Sequence, residues 1–119
     1  MKVLVCGGRD YKDTAKLFLV LDKLHEETPI SLVIQGKANG ADSLAKQWAE
    51  LREIDCDSYP AKWSEHGKFA GPTRNIEMLQ KGKPDLVVAF PGGNGTRHMV
   101  NISKNAKVKV IEIKENTYE

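Results

Sequence analysis

Short apolar runs alternate with stretches of helical spacing along the whole chain, and this alternation leaves few folds open. Runs suited to strands covered on both faces occur at Val3–Cys6, Leu32–Ile34 and Leu86–Phe90. A lysine-broken run lies at Val108–Ile113 and a weaker one at Cys56–Tyr59. Between them, Leu17, Phe18, Leu21 and Leu24 recur at helical spacing, and so do Ala41, Leu44, Ala45, Trp48 and Leu51. A third helix is expected from about Pro72, carrying Ile76 and Leu79 and stopping at Gly82 before Pro84. A fourth is expected from Thr96 as N-cap, with Met99, Val100 and Ile102 turned inward. The order β-α-β-α-β-α-β-α-β predicts an α/β fold: a single Rossmann-like, three-layer domain whose five-stranded parallel sheet has the order 3-2-1-4-5.

With 119 residues the chain can bury one substantial core. Residues 1–113 are read as that domain and residues 114–119 as a short polar tail. The net charge of +2 with scattered lysines gives no nucleic-acid footprint, so a DNA or RNA partner is not expected. No run is long enough to span a membrane, and the apolar start Met1–Cys6 is too short for a signal segment. Cys6 and Cys56 do not make a disulfide framework, which favours a reduced, cytoplasmic protein. Strand 2 would separate the two cysteines by about 10 Å, too far for a disulfide.

The predicted strand order brings three glycine-bearing turns to one sheet edge. Gly7-Gly8-Arg9-Asp10 follows strand 1, Gly36–Asp42 follows strand 2, and Pro91-Gly92-Gly93-Asn94-Gly95-Thr96 follows strand 4. Strands 1 and 4 flank the point where connections leave to opposite faces, which is where such sheets bind ligands. Bare backbone N–H groups at a helix start suit an anion, phosphate above all. No turn is a Walker A motif or a full dinucleotide fingerprint, and no His, Cys and carboxylate cluster has metal-site spacing. No cofactor or metal is therefore expected, and catalytic residues stay unassigned.

Arginine usage points to the same edge. Only four of the 18 basic residues are arginine; Arg9 and Arg97 fall in or beside two of these turns, and Arg74 sits in the first turn of the third helix, which starts at the same sheet edge. Arginine grips phosphate or carboxylate through two parallel hydrogen bonds, whereas a cation near a helix start is unfavourable without an anion. Asp42, at the start of the second helix, has two readings: a helix-start carboxylate, or an acceptor for ribose hydroxyls. The loop Trp63–Phe69 reads equally as a wall for a base and as a loop pinned down by its tryptophan. His98, in the first turn after Pro91–Thr96, has two readings: a contact to an anion, or polar helix surface. The candidate ligand-binding set is Gly7, Gly8, Arg9, Gly36, Gly40, Asp42, Arg74, Asn75, Gly92, Gly93, Gly95, Thr96 and Arg97.

Taken together, Gly7–Tyr11, Gly40-Ala41-Asp42, Trp63 with His66-Gly67, Ala70-Gly71-Pro72, Arg74-Asn75 and Ala89–Thr96 resemble the YspA/YpsA-related branch of the SLOG superfamily. The resemblance runs from Lys2 to about Val110. It implies a compact Rossmann-like domain that binds a nucleotide or nucleotide-derived ligand, as a sensor or sequestering protein. Homo-oligomerisation as a dimer is common among such relatives. More distant relatives include the LOG phosphoribohydrolases and the DNA-processing protein DprA, so a nucleoside-monophosphate N-glycosidase is the alternative reading. Against that alternative, the hydrolases' motifs match only in part. Asn75 replaces their lysine, and Met99 occupies the position of their catalytic glutamate. A thioether cannot perform acid–base work.

Overall fold

The first strand, β1 (Lys2–Cys6), has four consecutive buried residues, as expected of a strand covered on both faces. The computed structural model describes residues 1–115. Five strands form one parallel sheet: β1, β2 (Leu32–Gln35), β3 (Asp55–Ser58), β4 (Leu86–Ala89) and β5 (Lys109–Glu112). Their order is 3-2-1-4-5, as the alternation predicts. The register pairs Cys6 with Ala89, so β1 and β4 end flush and their loops leave at one level.

Side chains of β1 alternate between two cores. Val3 and Val5 face α1 (Thr14–Glu27) and α2 (Ala41–Leu51), against Leu17, Leu21, Ala45 and Trp48. Leu4 and Cys6 face α4 (Ala70–Gly82) and α5 (Asn94–Asn105), against Met78, Met99 and Val100. The sheet therefore lies between two helical layers, and the chain changes layer between β1 and β4. Cys6 is buried while Cys56 is partly exposed, and both are free thiols.

Several boundaries differ from expectation. The segment Trp63–Phe69 is not a loop: it forms a short helix, α3 (Trp63–His66), and a 3₁₀ turn (Gly67–Phe69). The following helix begins at Ala70, so Pro72 is its third residue. Proline is tolerated there because N–H groups in the first turn have no intrahelical acceptor. That helix does stop at Gly82, but Lys83, not a glycine, takes the left-handed conformation after it (φ 48°). Gly82 serves packing: a Cβ there would lie 2.9 Å from Ile34 Cδ1. Thr96 is not an N-cap, because α5 begins at Asn94 with Gly93 as its cap. Ile76 and Leu51 do not face the core, being 42% and 66% exposed, and Asn75 and Met78 take the inner face of α4. No helix among the described residues is long and apolar enough to cross a membrane. Residues 116–119 of the expected tail lie outside the described residues.

Met99 is fully buried in the apolar layer beneath α5. Met99→Leu should cost less than about 1.5 kcal/mol, because the volume is nearly kept. Met99→Glu should cost about 3 kcal/mol or more, because an unpaired carboxylate would lose its water. Urea denaturation midpoints of the two variants check the contrast.

Candidate functional site

The turns after β1 and β4 are joined through the backbone of Gly8. Its N–H donates to Pro91 O at 2.8 Å, and its carbonyl accepts from Tyr11 N and Ala41 N, each at 3.2 Å. Three chain segments thus meet at one residue that has no side chain. Gly40 must pass behind it with φ +74°, where a Cβ would overlap the carbonyl oxygens of Gly8 and Arg9. At Gly92 a Cβ would overlap Thr96 Oγ1 and lie 2.7 Å from Gly8 N.

Beyond this junction a cavity of about 1270 Å³ opens at the carboxyl edge of β1 and β4. Gly7, Gly8 and Arg9 form one wall, and Gly92, Gly93, Gly95 and Thr96 form another. Arg74, Asn75 and Asp42 reach it from α4 and α2. Three of the expected residues do not line it. Gly36 and Gly40 support its floor, and Arg97 is exposed, its Nη1 donating to Asn94 Oδ1 at 3.3 Å. Arg97 therefore turns along its own helix and not over the glycine turn.

The first main-chain bond at the start of α5 runs from Arg97 N to Gly93 O. The N–H groups of Asn94, Gly95 and Thr96 consequently have no main-chain acceptor among the described residues, as a helix start dictates. A Cβ on Gly93 or Gly95 would meet nothing within 4 Å, so the backbone there is bare. Such a turn can take an anion on its N–H groups. The start of α2 differs, because Ala41 N is already bonded to Gly8 O.

A buried polar network makes the floor. Asp42 Oδ2 accepts from Gly36 N at 3.2 Å and Ala38 N at 3.3 Å. Arg74 Nη1 donates to the carbonyl of the same Gly36, and Arg74 Nε donates to Asn75 Oδ1 at 3.0 Å. One residue, Gly36, thus stands between the carboxylate and the guanidinium, its N–H bonded to the first and its carbonyl to the second. Burial pushes the Asp42 carboxyl up to about 6, opposed by the Ala38 N–H, the charge of Arg74 and the Gly36 N–H. Burial likewise lowers Arg74 from its usual value; Asp42 opposes the shift, and the nearby charge of Arg9 adds to it. Two arginines therefore face one cavity with a single buried carboxylate beneath them. The Cys6 thiol, also in the lining, is pushed up to about 12, chiefly by burial and then by Asp42, and stays protonated.

Some lining residues carried no signal in the sequence. Lys16 and Lys114 come from segments distant from the glycine turns, whereas His98 lies two residues after Thr96 and lines the cavity beside that turn. Trp63 lines the cavity with the Arg9 guanidinium 5.8 Å from its ring centre. The lining holds five basic side chains (Arg9, Lys12, Lys16, Arg74, Lys114) and four acidic ones (Asp10, Asp13, Asp42, Glu115). Attraction for an anion therefore rests on the arginine pair and the bare N–H groups, not on a general positive field.

Residues 1–66 match the family described as "YspA, cpYpsA-related SLOG family". The chain is 38% identical over 118 residues to the Gene 61 protein of Mycobacterium phage D29, covering 92% of this chain and 94% of that one. It also superposes on a crystal structure of UDP-GlcNAc 2-epimerase from Neisseria meningitidis bound to UDP-GlcNAc. That match has a TM-score of 0.59 and 22% identity, and it covers 95% of this chain but only 32% of the epimerase. At this identity the likeness is one of fold.

The glycines separate into two classes by what a methyl group would meet. Gly40→Ala should destabilise by about 2 kcal/mol or more, from positive φ and backbone overlap. Gly95→Ala lies at an open helical position and should stabilise by about 0.5–1 kcal/mol. Urea unfolding of both variants checks the sign of each. Asp42 adds a pH dependence. Its folded value of about 6 lies above the unfolded value of about 3.9, so the folded state holds its proton more tightly. Its stabilising contribution is complete below about pH 4 and is lost as pH rises through about 6. Asp42→Asn should flatten that fall, measured as denaturation midpoints across the same window.

Proposed function

The chain belongs to the YspA, cpYpsA-related SLOG family, and on its site we propose that it binds a nucleotide or nucleotide-derived ligand at the carboxyl edge of β1 and β4. The observation that carries this reading is the placement of Arg9 and Arg74 around a cavity whose far wall is the bare N-terminal turn of α5. The phosphate sits on the N–H groups of Asn94, Gly95 and Thr96, with Arg74 donating from the floor. The ribose and base extend toward Asp42 and Trp63. A volume of about 1270 Å³ exceeds the roughly 300–1,000 Å³ of common ligand sites, leaving room for a whole nucleotide. The nucleotide sugar held by the epimerase supports the same class of ligand.

Binding fits the site better than base hydrolysis. Met99, at the position of the hydrolases' glutamate, lies in the apolar core and is not part of the cavity wall. The role is accordingly a sensor or sequestering protein for a nucleotide signal.

Thermal unfolding with a panel of nucleoside mono- and diphosphates and UDP-GlcNAc tests the reading. A ligand at 100 times its Kd should stabilise the fold by about 2.7 kcal/mol, a rise of several degrees in Tm. Arg74→Ala should weaken binding by roughly 10- to 100-fold, the worth of charged hydrogen bonds to phosphate. Absence of any shift with every phosphate-bearing ligand at millimolar concentration would overturn the proposal. Release of free base, lost in Arg74→Ala, would make the protein an enzyme.

A further inference from the structure

Asn75 is 95% buried between α4 and the first turn of α5, and its contacts fix which way its amide points. Arg74 Nε–H can only donate, so the atom 3.0 Å from it is Oδ1. The Gly95 carbonyl can only accept, so the atom 3.1 Å from it is Nδ2. That same Nδ2 lies 3.2 Å from His98 Nδ1. A donor therefore faces His98 Nδ1, which must offer its lone pair. The neutral imidazole then carries its proton on Nε2. His98 lines the cavity, is half-buried, and its Nε2 has no protein acceptor among the described residues.

We infer that His98 is a ligand-binding residue of this cavity, held by Asn75 in the Nε2–H tautomer and donating from Nε2 to an oxygen of the nucleotide's phosphate. The inference rests on the nucleotide reading above and adds a residue to it. The same amide that sets the tautomer also holds Arg74 and the Gly95 carbonyl. One buried side chain thus orients two donors, a guanidinium and an imidazole, around a single anion position. A neutral N–H in that place selects for acceptor oxygens and offers nothing to a ligand amine.

Long-range ¹H–¹⁵N correlation spectra of the wild type, recorded above the imidazole titration range, read the tautomer without any variant. The His98 signals, identified by their loss in His98→Gln, should show an unprotonated Nδ1 and a protonated Nε2. The Nε2–H resonance should move on adding the tightest-binding probe among AMP, GMP, CMP, UMP and UDP-GlcNAc. By calorimetry with that probe, His98→Ala and His98→Asn should bind about tenfold more weakly, the worth of one hydrogen bond to a charged group. His98→Gln, whose amide places a donor near the position of Nε2, should stay within about threefold of wild type. An Nδ1–H tautomer, or unchanged binding in a folded His98→Ala, overturns the role of His98 and leaves the nucleotide reading standing. A wild type that binds none of the probes overturns both.

Discussion

The three hydrogen bonds made by the Gly8 backbone join the turns at the carboxyl edge of β1 and β4. They tie the turn after β1 to the turn after β4 through Pro91 and to the start of α2 through Ala41. The bonds are possible because β1 and β4 end flush, with Cys6 opposite Ala89. They also assign different roles to two helix starts that look alike in sequence. At α2 the first N–H is consumed by Gly8, so that glycine turn is a structural joint. At α5 the first N–H groups remain unbonded within the main chain, so that turn can receive an anion. The clamp makes one turn rigid and leaves the other open beside it.

Beneath the cavity, the placement of charge follows from the cost of burying it. A carboxylate out of water needs hydrogen bonds and an opposite charge nearby. Asp42 obtains two backbone N–H groups, those of Gly36 and Ala38, and Arg74 is held close by through the Gly36 carbonyl. Arg74 then spends one N–H on Gly36 and one on Asn75, which leaves the rest of its fork for the cavity. A lysine's three donors all leave one nitrogen, without the planar fork that spreads Arg74 over Gly36, Asn75 and the cavity. Gly36 completes the arrangement, since a Cβ there would overlap the Arg74 guanidinium.

Much of this was legible in the chain because it follows from local rules. The apolar runs gave the strands, and right-handed crossovers with one change of layer gave the sheet order. The glycines at 8, 40 and 92 were legible because backbone crowding leaves glycine as the residue that fits. What was not legible depends on how helices pack. Arg97 neighbours the glycine turn in sequence, yet it turns along α5 to Asn94. For His98 the sequence leaves an anion contact and helix surface both open, and it cannot show Asn75 coming within 3.2 Å from α4. The helical turn at Trp63–His66 lacks an apolar stripe, having no buried residue, so periodicity could not reveal it.

The near balance of charge around the cavity changes what recognition can depend on. A strongly basic cleft attracts any polyanion and loses affinity steeply with salt. Here four carboxylates offset five cations along the lining, so long-range attraction is weak. Under the proposed nucleotide reading, selectivity then comes from donors with fixed directions, such as the first-turn N–H groups of α5 and the Arg74 fork. Both are held in place by protein hydrogen bonds before any ligand arrives. Preorganised donors pay little ordering entropy on binding and discriminate by geometry, which suits a compact phosphate better than an extended nucleic-acid backbone.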